Sequence, residues 1–244
     1  MSGTISLFLS IFAIGLITSC SRSEITPISP LITHSLHANP KQNCFEGTWY
    51  NPEETSFWSS SHMKVYIAPV NIDFIKAQFP KEAPLLAKQF REELCQDIAR
   101  TLKNKSLQSQ KRITWQLVDH PSPNGVTLTV AIVKLKPTNV GGNIMSDLVS
   151  LFSPITGTSI LLSRFMSGDV GIEGCLSNTD TKTPIMEFQA YNTDPITLFS
   201  IKEFERFAFD KQNLQLFSGC ISSLFIKGPS ENIPKPKGID LSPF

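Results

Sequence analysis

A row of apolar residues that recurs every four positions most restricts what this chain can fold into. The row predicts an amphipathic helix over 82–103, and Leu85 and Ala87 widen its apolar stripe. Charged and polar side chains occupy the rest of the predicted helix surface. Because such a stripe needs a second layer to cover it, other parts of the chain must supply that layer. The members of the row are Leu86, Phe90, Leu94, Ile98 and Leu102.

A second amphipathic helix is predicted towards the end of the chain. Ser200 and Glu203 match a capping box, in which the two side chains satisfy exposed amides of the first helical turn. The apolar residues that follow again have a helical spacing, so this segment also needs a layer to pack against. These residues are Phe204, Phe207, Ala208, Leu214, Phe217, Ile221 and Phe225.

Five segments have the composition of β-strands, one before the first helix and four between the helices. A strong turn signal at 119–125 separates the second strand from the third, and 177–183 suits a hairpin between the last two. The order β-α-β-β-β-β-α predicts an α+β fold, a mostly antiparallel sheet with two amphipathic helices on one face. The predicted strands are 64–70, 113–118, 127–135, 169–176 and 184–191.

The start of the chain indicates where the protein is located. An apolar run from Ile5 to Ile17 leads through two small residues to Cys20, which resembles the lipobox of bacterial lipoproteins. In such proteins the cysteine takes a diacylglycerol, the peptide is cut before it, and the new amino terminus is acylated with a chain such as palmitate. We therefore expect a cell-envelope lipoprotein whose partner is the membrane itself, to which the lipid on Cys20 anchors it. Ser21, which is not aspartate, favours the outer membrane, with the domain facing the periplasm.

An uncleaved transmembrane anchor is the alternative for this segment. Spanning a bilayer as a helix needs about 20 predominantly apolar residues. The run over 5–17 provides 13 residues and includes two serines. Residues 1–4 contain no Lys or Arg, which is unusual for a signal peptide. The length of the run nevertheless favours a cleaved signal.

The chain divides into four predicted parts. Residues 1–19 are the lipoprotein signal peptide, 20–61 a proline-rich tether with aromatic residues that pack back, 62–226 the α+β domain, and 227–244 a flexible tail. Removing 19 of the 244 residues leaves 225, enough for one domain with a sizeable core. A net charge of +1 gives no basic footprint for nucleic acid, so we expect no nucleic-acid partner.

An apolar insertion at 143–166 interrupts the domain between two predicted strands. Only Asp147 and Arg164 carry charge in it. The insertion either covers the sheet as core helices or forms a surface for self-association or membrane contact. Neither half is long enough to span a bilayer as a helix. The candidate interaction surface consists of Leu148, Val149, Phe152, Ile160, Leu161 and Phe165.

Four cysteines remain besides Cys20, and they have wide, irregular spacings. An even number in an oxidising compartment permits two disulfides, with three pairings. The absence of a C-x-x-C pair argues against zinc binding and thioredoxin-like chemistry. The four are Cys44, Cys95, Cys175 and Cys220.

Three segments carry a resemblance to a known family. They are the strand that ends in Leu-Lys-Pro-Thr at 135–138, the Val-Gly-Ile-Glu-Gly strand at 170–174, and the helix that contains Phe204. Over roughly 45–225 the chain resembles the bacterial lipoproteins of the domain-of-unknown-function family 3313. More distantly, it is similar to periplasmic lipoprotein domains that assemble or regulate envelope machines, including a curli-secretion pore. It lacks the paired alternating segments of about 10 residues that such a pore needs for its transmembrane hairpins.

No catalytic or metal-binding motif was found in the sequence. It contains neither G-x-S-x-G nor H-E-x-x-H, and its four histidines lack metal-ligand spacing. Glu173, the one acid in an apolar strand, is expected to face solvent. We therefore expect no enzymatic activity, no cofactor and no metal.

The resulting functional prediction is a lipid-anchored envelope protein that binds another protein or copies of itself. The alternative is a periplasmic domain that contacts lipid or an apolar ligand and uses 143–166 as its apolar wall.

Overall fold

The computed structural model describes residues 26–54, 56–108, 114–136, 169–193, 208–228 and 232–233. In these ranges a six-stranded sheet carries two long helices on one face, which confirms the predicted α+β class. The elements are β1 (Gly47–Tyr50), a 3-10 turn (Pro52–Glu54), α1 (Ser56–Ser59), β2 (His62–Ile67), α2 (Glu82–Gln108), β3 (Thr114–Val118), β4 (Val126–Lys136), β5 (Asp169–Asn178), β6 (Pro184–Thr193) and α3 (Ala208–Lys227).

The strands lie in the order β1-β6-β5-β4-β2-β3. The four strands from β1 to β4 in that order pair antiparallel, so the sheet is mostly antiparallel as predicted. Strand β2 instead runs parallel to both of its neighbours, β4 and β3. Helix α2 connects β2 to β3, because parallel neighbours need a crossover rather than a tight hairpin.

The predicted turn at 119–125 carries the chain from one side of β2 to the other. Val118 pairs with Tyr66, and the next strand starts with Val126 beside Val65 on the opposite side of β2. Gly125 is needed at this close crossing. A Cβ at this position would lie 2.8 Å from the Lys64 carbonyl oxygen, closer than real side chains approach.

The two long helices pack side by side and run parallel. The Gln215 amide donates to Glu93 over 2.8 Å, and one turn further along the Ser218 hydroxyl donates to Asp97 over 2.8 Å. All five residues of the α2 apolar row are buried, as predicted. Leu85, expected to widen the stripe, is 64 % exposed, so that detail was wrong. It lies in the first turn of α2, at the amino-terminal end of the helix.

The predicted tether at 20–61 differs from the structure over 26–60. Phe45 is buried there, as expected of the aromatic residues, but Ile32 and Leu36 are buried too, and β1 adds a sixth strand beside β6. The prolines resemble those of a linker, but the apolar side chains between them find partners on the sheet. Part of the predicted tail also packs on the domain, because Ile233 is buried and its amide donates to the Lys41 carbonyl.

Several predicted features lie outside the described residues. These are Cys20, the Ser200–Glu203 capping box and the whole insertion at 143–166. The insertion contains every residue of the candidate interaction surface, namely Leu148, Val149, Phe152, Ile160, Leu161 and Phe165.

Candidate functional site

The most unusual group in the described structure is a set of buried polar side chains on the sheet face opposite the helices. Side chains alternate between the two faces of a strand. Ile172 and Phe188 point into the core beneath the helices, so Glu173, Glu187 and Gln189 point to the second face. All three are 0 % exposed. A buried carboxylate is costly unless hydrogen bonds compensate it, so each of these groups needs a partner.

Glu173 receives its hydrogen bonds from a segment far away in the sequence. The backbone amides of Ile28 and Ser29 donate to its two carboxylate oxygens, each over 2.7 Å. The Gln189 side-chain amide donates to the first of these oxygens over 2.6 Å. One glutamate therefore binds two consecutive backbone N–H groups.

Glu187 binds the same segment five residues further on. The backbone amides of Thr33 and His34 donate to its Oε2 over 3.0 and 2.9 Å. The Thr33 hydroxyl donates to Oε1 over 2.7 Å, and His34 Nδ1 lies 3.1 Å from the same oxygen. Glu187 therefore also binds two consecutive backbone N–H groups of this segment.

We call residues 26–37 the strap, because they lie across the second face of the sheet. Ile32 and Leu36 are buried beneath it. The His34 ring stacks on Trp49 of β1, with centroids 3.6 Å apart and planes 5° from parallel. At its end, His37 exchanges two backbone hydrogen bonds with Thr48. The strap is thus held by Glu173 near its start, by Glu187 further along and by Thr48 at its end.

Two ionisable groups beside the strap are shifted towards their protonated forms. Burial, followed by the charge of the nearby Glu187, raises the pKa of Cys175 to about 12. Burial, followed by the charge of Glu173, raises the pKa of Tyr191 to about 12. Nucleophilic cysteines need a thiolate at neutral pH, so the arrangement around Cys175 does not activate it.

The expectation that Glu173 faces solvent was wrong. The sequence does mark it as an isolated acid, but its partners are backbone amides 145 and 144 residues away. Sequence reasoning missed Glu187 and the strap altogether. The available signal was the alternation of polar Glu187 and Gln189 in β6, together with Glu173 in the neighbouring strand. Buried carboxylates on adjacent strands require donors from elsewhere.

The structure forms one disulfide among the four cysteines, where the sequence permitted two. Cys44 is bonded to Cys220, which ties the segment after the strap to α3. Cys95, half-buried on α2, and Cys175, buried on β5, are free thiols.

The described ranges also include a groove on the helix side of the sheet. No group of three metal-ligating side chains occurs within them, and none of their helices is both long and apolar enough to cross a bilayer. An open groove of about 270 Å³ lies between α2 and α3 and is lined by Leu86, Phe90, Leu214, Lys211 and neighbouring polar residues. Its polar side chains form no catalytic arrangement.

No family model matches the chain, and no curated protein matches it. Among solved structures, the chain is similar to a PelC dodecamer from Paraburkholderia phytofirmans (10 % identity, 67 % of this chain and 88 % of that one, TM-score 0.34). It is also similar to a hypothetical protein from Chlamydia trachomatis (12 % identity, 68 % and 98 %, TM-score 0.37). A third is a protein of family DUF330 from Xanthomonas campestris (8 % identity, 68 % and 85 %, TM-score 0.37). These scores carry no functional argument, and the resemblance to family 3313 stays a prediction.

Proposed function

We propose that this protein is a lipid-anchored envelope protein, without enzymatic activity, whose domain binds another protein or further copies of itself. The observation that carries the binding role is that the two strand ends on either side of the apolar insertion are neighbours in the sheet. Lys136 at the end of β4 pairs directly with Asp169 at the start of β5. Residues 137–168 therefore connect two neighbouring strand ends, and we call the side of the domain where these ends lie the insertion edge.

The described residues towards this edge support the same role. Helix α2 follows β2, which runs parallel to β4, so the helix begins towards the insertion edge. Leu85 in its first turn is 64 % exposed, and Phe74 in the loop before it is 38 % exposed. Exposed apolar side chains on the side of the domain to which the apolar insertion connects favour a binding surface on that side.

The chemistry of the second face supports a non-enzymatic role. Glu173 and Glu187 are the most deeply buried carboxylates of the second face, and backbone amides of the strap occupy their oxygens. A general acid or base must instead reach a substrate proton. These two glutamates serve to hold the chain.

The binding role is tested with Leu148→Glu/Leu161→Glu in the full-length protein. We expect the variant to lose self-association or a co-purifying partner, measured by light scattering after size-exclusion chromatography in detergent. The matched control is Gln116→Glu/His120→Glu, which changes two exposed positions, one on β3 and one in the turn at 119–125. Unchanged assembly would contradict the proposal. Lost vesicle binding with assembly intact would favour the alternative, a lipid- or apolar-ligand-contacting domain.

The anchor is tested by incorporation of radiolabelled palmitate in cells. We expect label in the wild type and none in Cys20→Ala. A wild type that takes up no label and fractionates as a soluble protein would refute the lipoprotein assignment.

A further inference from the structure

The strap determines how far the folded domain can move from Cys20. The first backbone groups that the domain holds are the amides of Ile28 and Ser29, both bound to Glu173. Ile28 lies eight positions after Cys20 in the sequence. Fully extended chain spans at most about 3.6 Å per residue, so this leash reaches about 29 Å.

Without the strap contacts the leash would be much longer. The next fixed point is His37, through its backbone pairing with Thr48. His37 lies seventeen positions after Cys20, which corresponds to a reach of about 61 Å. A free tether as far as residue 61 would reach about 150 Å. The hydrogen bonds of the two glutamates therefore decide whether the domain is held near its anchor or moves freely.

The contacts of the strap are suited to a permanent attachment. Glu173 and Glu187 bind backbone amides, which every residue except proline provides, and both carboxylates are 0 % exposed. Water therefore does not compete for these hydrogen bonds unless the strap leaves. The Ile32 and Leu36 side chains and the His34–Trp49 stack add apolar contact between the two glutamates and beyond them.

The strap also gives the domain an orientation. It leaves the domain on the second face of the sheet, whereas α2 and α3 cover the opposite face. Ile28, beside the point where the leash begins, is 50 % exposed. An exposed isoleucine next to a lipid-bearing chain end suits the headgroup region of a bilayer, into which apolar side chains insert.

We infer that Glu173 and Glu187 hold the strap so that the domain stays close to the bilayer, with the second face of the sheet, and not the helix face, directed to the lipid surface. This inference rests on the proposed lipid anchor at Cys20 and adds to it a distance and a contact surface. Its occupant is the lipid bilayer, not a second protein. Glu173 and Glu187 act as positioning residues.

The test uses lipidated full-length protein in liposomes that contain acceptor-labelled headgroups. One sample carries a donor dye on Cys95, the half-buried thiol of α2 on the helix face. The other carries it on Lys134→Cys in a Cys95→Ala background, because Lys134 is half-exposed and lies over Tyr191 on the second face. The sheet and helix layers separate the two dyes by roughly 10–20 Å, so we expect roughly twofold stronger energy transfer from position 134.

The comparison is repeated with Glu173→Gln/Glu187→Gln, which removes both charges and places an amide N–H of residue 173 against a strap amide. We expect the difference between the two dye positions to shrink and the amides of 28, 29, 33 and 34 to exchange faster with solvent. Glu53→Gln, at an exposed glutamate of the 3-10 turn, should leave both results unchanged.

The outcomes separate this inference from the proposed function. A lipidated wild type with equal transfer from both dyes overturns the inference and leaves the anchor standing. The same holds if the double variant keeps the full difference while its strap amides exchange rapidly. A protein without lipid on Cys20, by mass spectrometry, overturns both. The wild-type comparison decides the orientation even if the double variant does not fold.

Discussion

At the scale of single residues, Glu187 has the densest set of contacts with the strap. It accepts from two backbone amides and one hydroxyl while fully buried. In Glu187→Gln the charge is lost and one of the two acceptor oxygens becomes an N–H donor, which can no longer accept from the Thr33 hydroxyl or from the strap amides. We expect the free energy of unfolding to fall by about 2–3 kcal/mol, since hydrogen bonds to charged groups contribute this much. Urea denaturation measures the change.

The control for this substitution is Glu53→Gln, at an exposed carboxylate. Surface substitutions of this kind usually change stability by less than about 0.5 kcal/mol. If both variants lost the same stability, the strap contacts could not be the cause.

A second residue-scale prediction concerns Gly174 on β5. The space that a Cβ would need there is occupied by the ring of Phe188, its partner on β6. Gly174→Ala should therefore destabilise the fold by about 1–3 kcal/mol, the usual cost of overpacking. Thermal unfolding followed by circular dichroism measures it.

Gly219 offers the matched comparison, because nothing lies within 4 Å of a Cβ built there. It lies inside α3, where Gly→Ala usually stabilises by about 0.5–1 kcal/mol. The two alanine variants should thus shift the melting temperature in opposite directions. A higher melting temperature in both would show that Phe188 can move aside.

At the scale of elements, the disulfide joins two parts of the fold that are distant in sequence. Cys44 and Cys220 are 176 residues apart, and the bond ties the chain between strap and β1 to α3. Cys44→Ala/Cys220→Ala should lower the free energy of unfolding by about 2–5 kcal/mol, because the crosslink restricts the unfolded chain. Denaturation with and without a reductant measures this effect.

Cys95→Ala serves as the control, since Cys95 is a free thiol. Its stability should still respond to the reductant as the wild type does. A double variant as stable as the wild type, together with peptide mapping of the wild type that shows a free Cys44 thiol, would contradict the bond.

The long elements were predictable from the sequence because each carries its own periodicity. The α2 row and the strands β2 to β6 all lie where their patterns place them, within a few residues. Strand β1 and the strap were not predictable in this way. The strap's apolar residues, Ile32 and Leu36, have no regular spacing. Their burial depends on donors and acceptors about 150 residues apart, as in the contacts of Glu187.

At the scale of the whole molecule, the strap covers the second face of the sheet over β1, β5 and β6. Burial on the second face leaves ionisable groups whose protonated forms the fold favours. Burial raises the pKa values of Cys175 and Tyr191 on this face to about 12. On the opposite face, burial against the core raises the pKa of Tyr50 above its ordinary value. In the unfolded chain a cysteine ionises near pH 9 and a tyrosine near pH 10.

These shifts predict a loss of stability in alkaline solution. Between about pH 9 and 12 the folded state retains protons that the unfolded state has released, so unfolding becomes more favourable as the pH rises. The stabilisation from these groups is complete below about pH 9 and disappears towards pH 12. For Cys175 the limiting slope is about 1.4 kcal/mol per pH unit. Urea titrations from pH 7 to pH 11 measure it.

Cys175→Ala identifies the part of this slope that belongs to the thiol. At pH 7 the cysteine is protonated in both states, so the difference from the wild type reflects packing alone. Above pH 9 the variant should lose stability less steeply, and the two curves should converge. Parallel curves up to pH 11 would mean that the thiol beside Glu187 ionises in the folded state as readily as in the unfolded one. The strap would then not exclude water from the second face, and the basis for a tightly held leash would be lost with it.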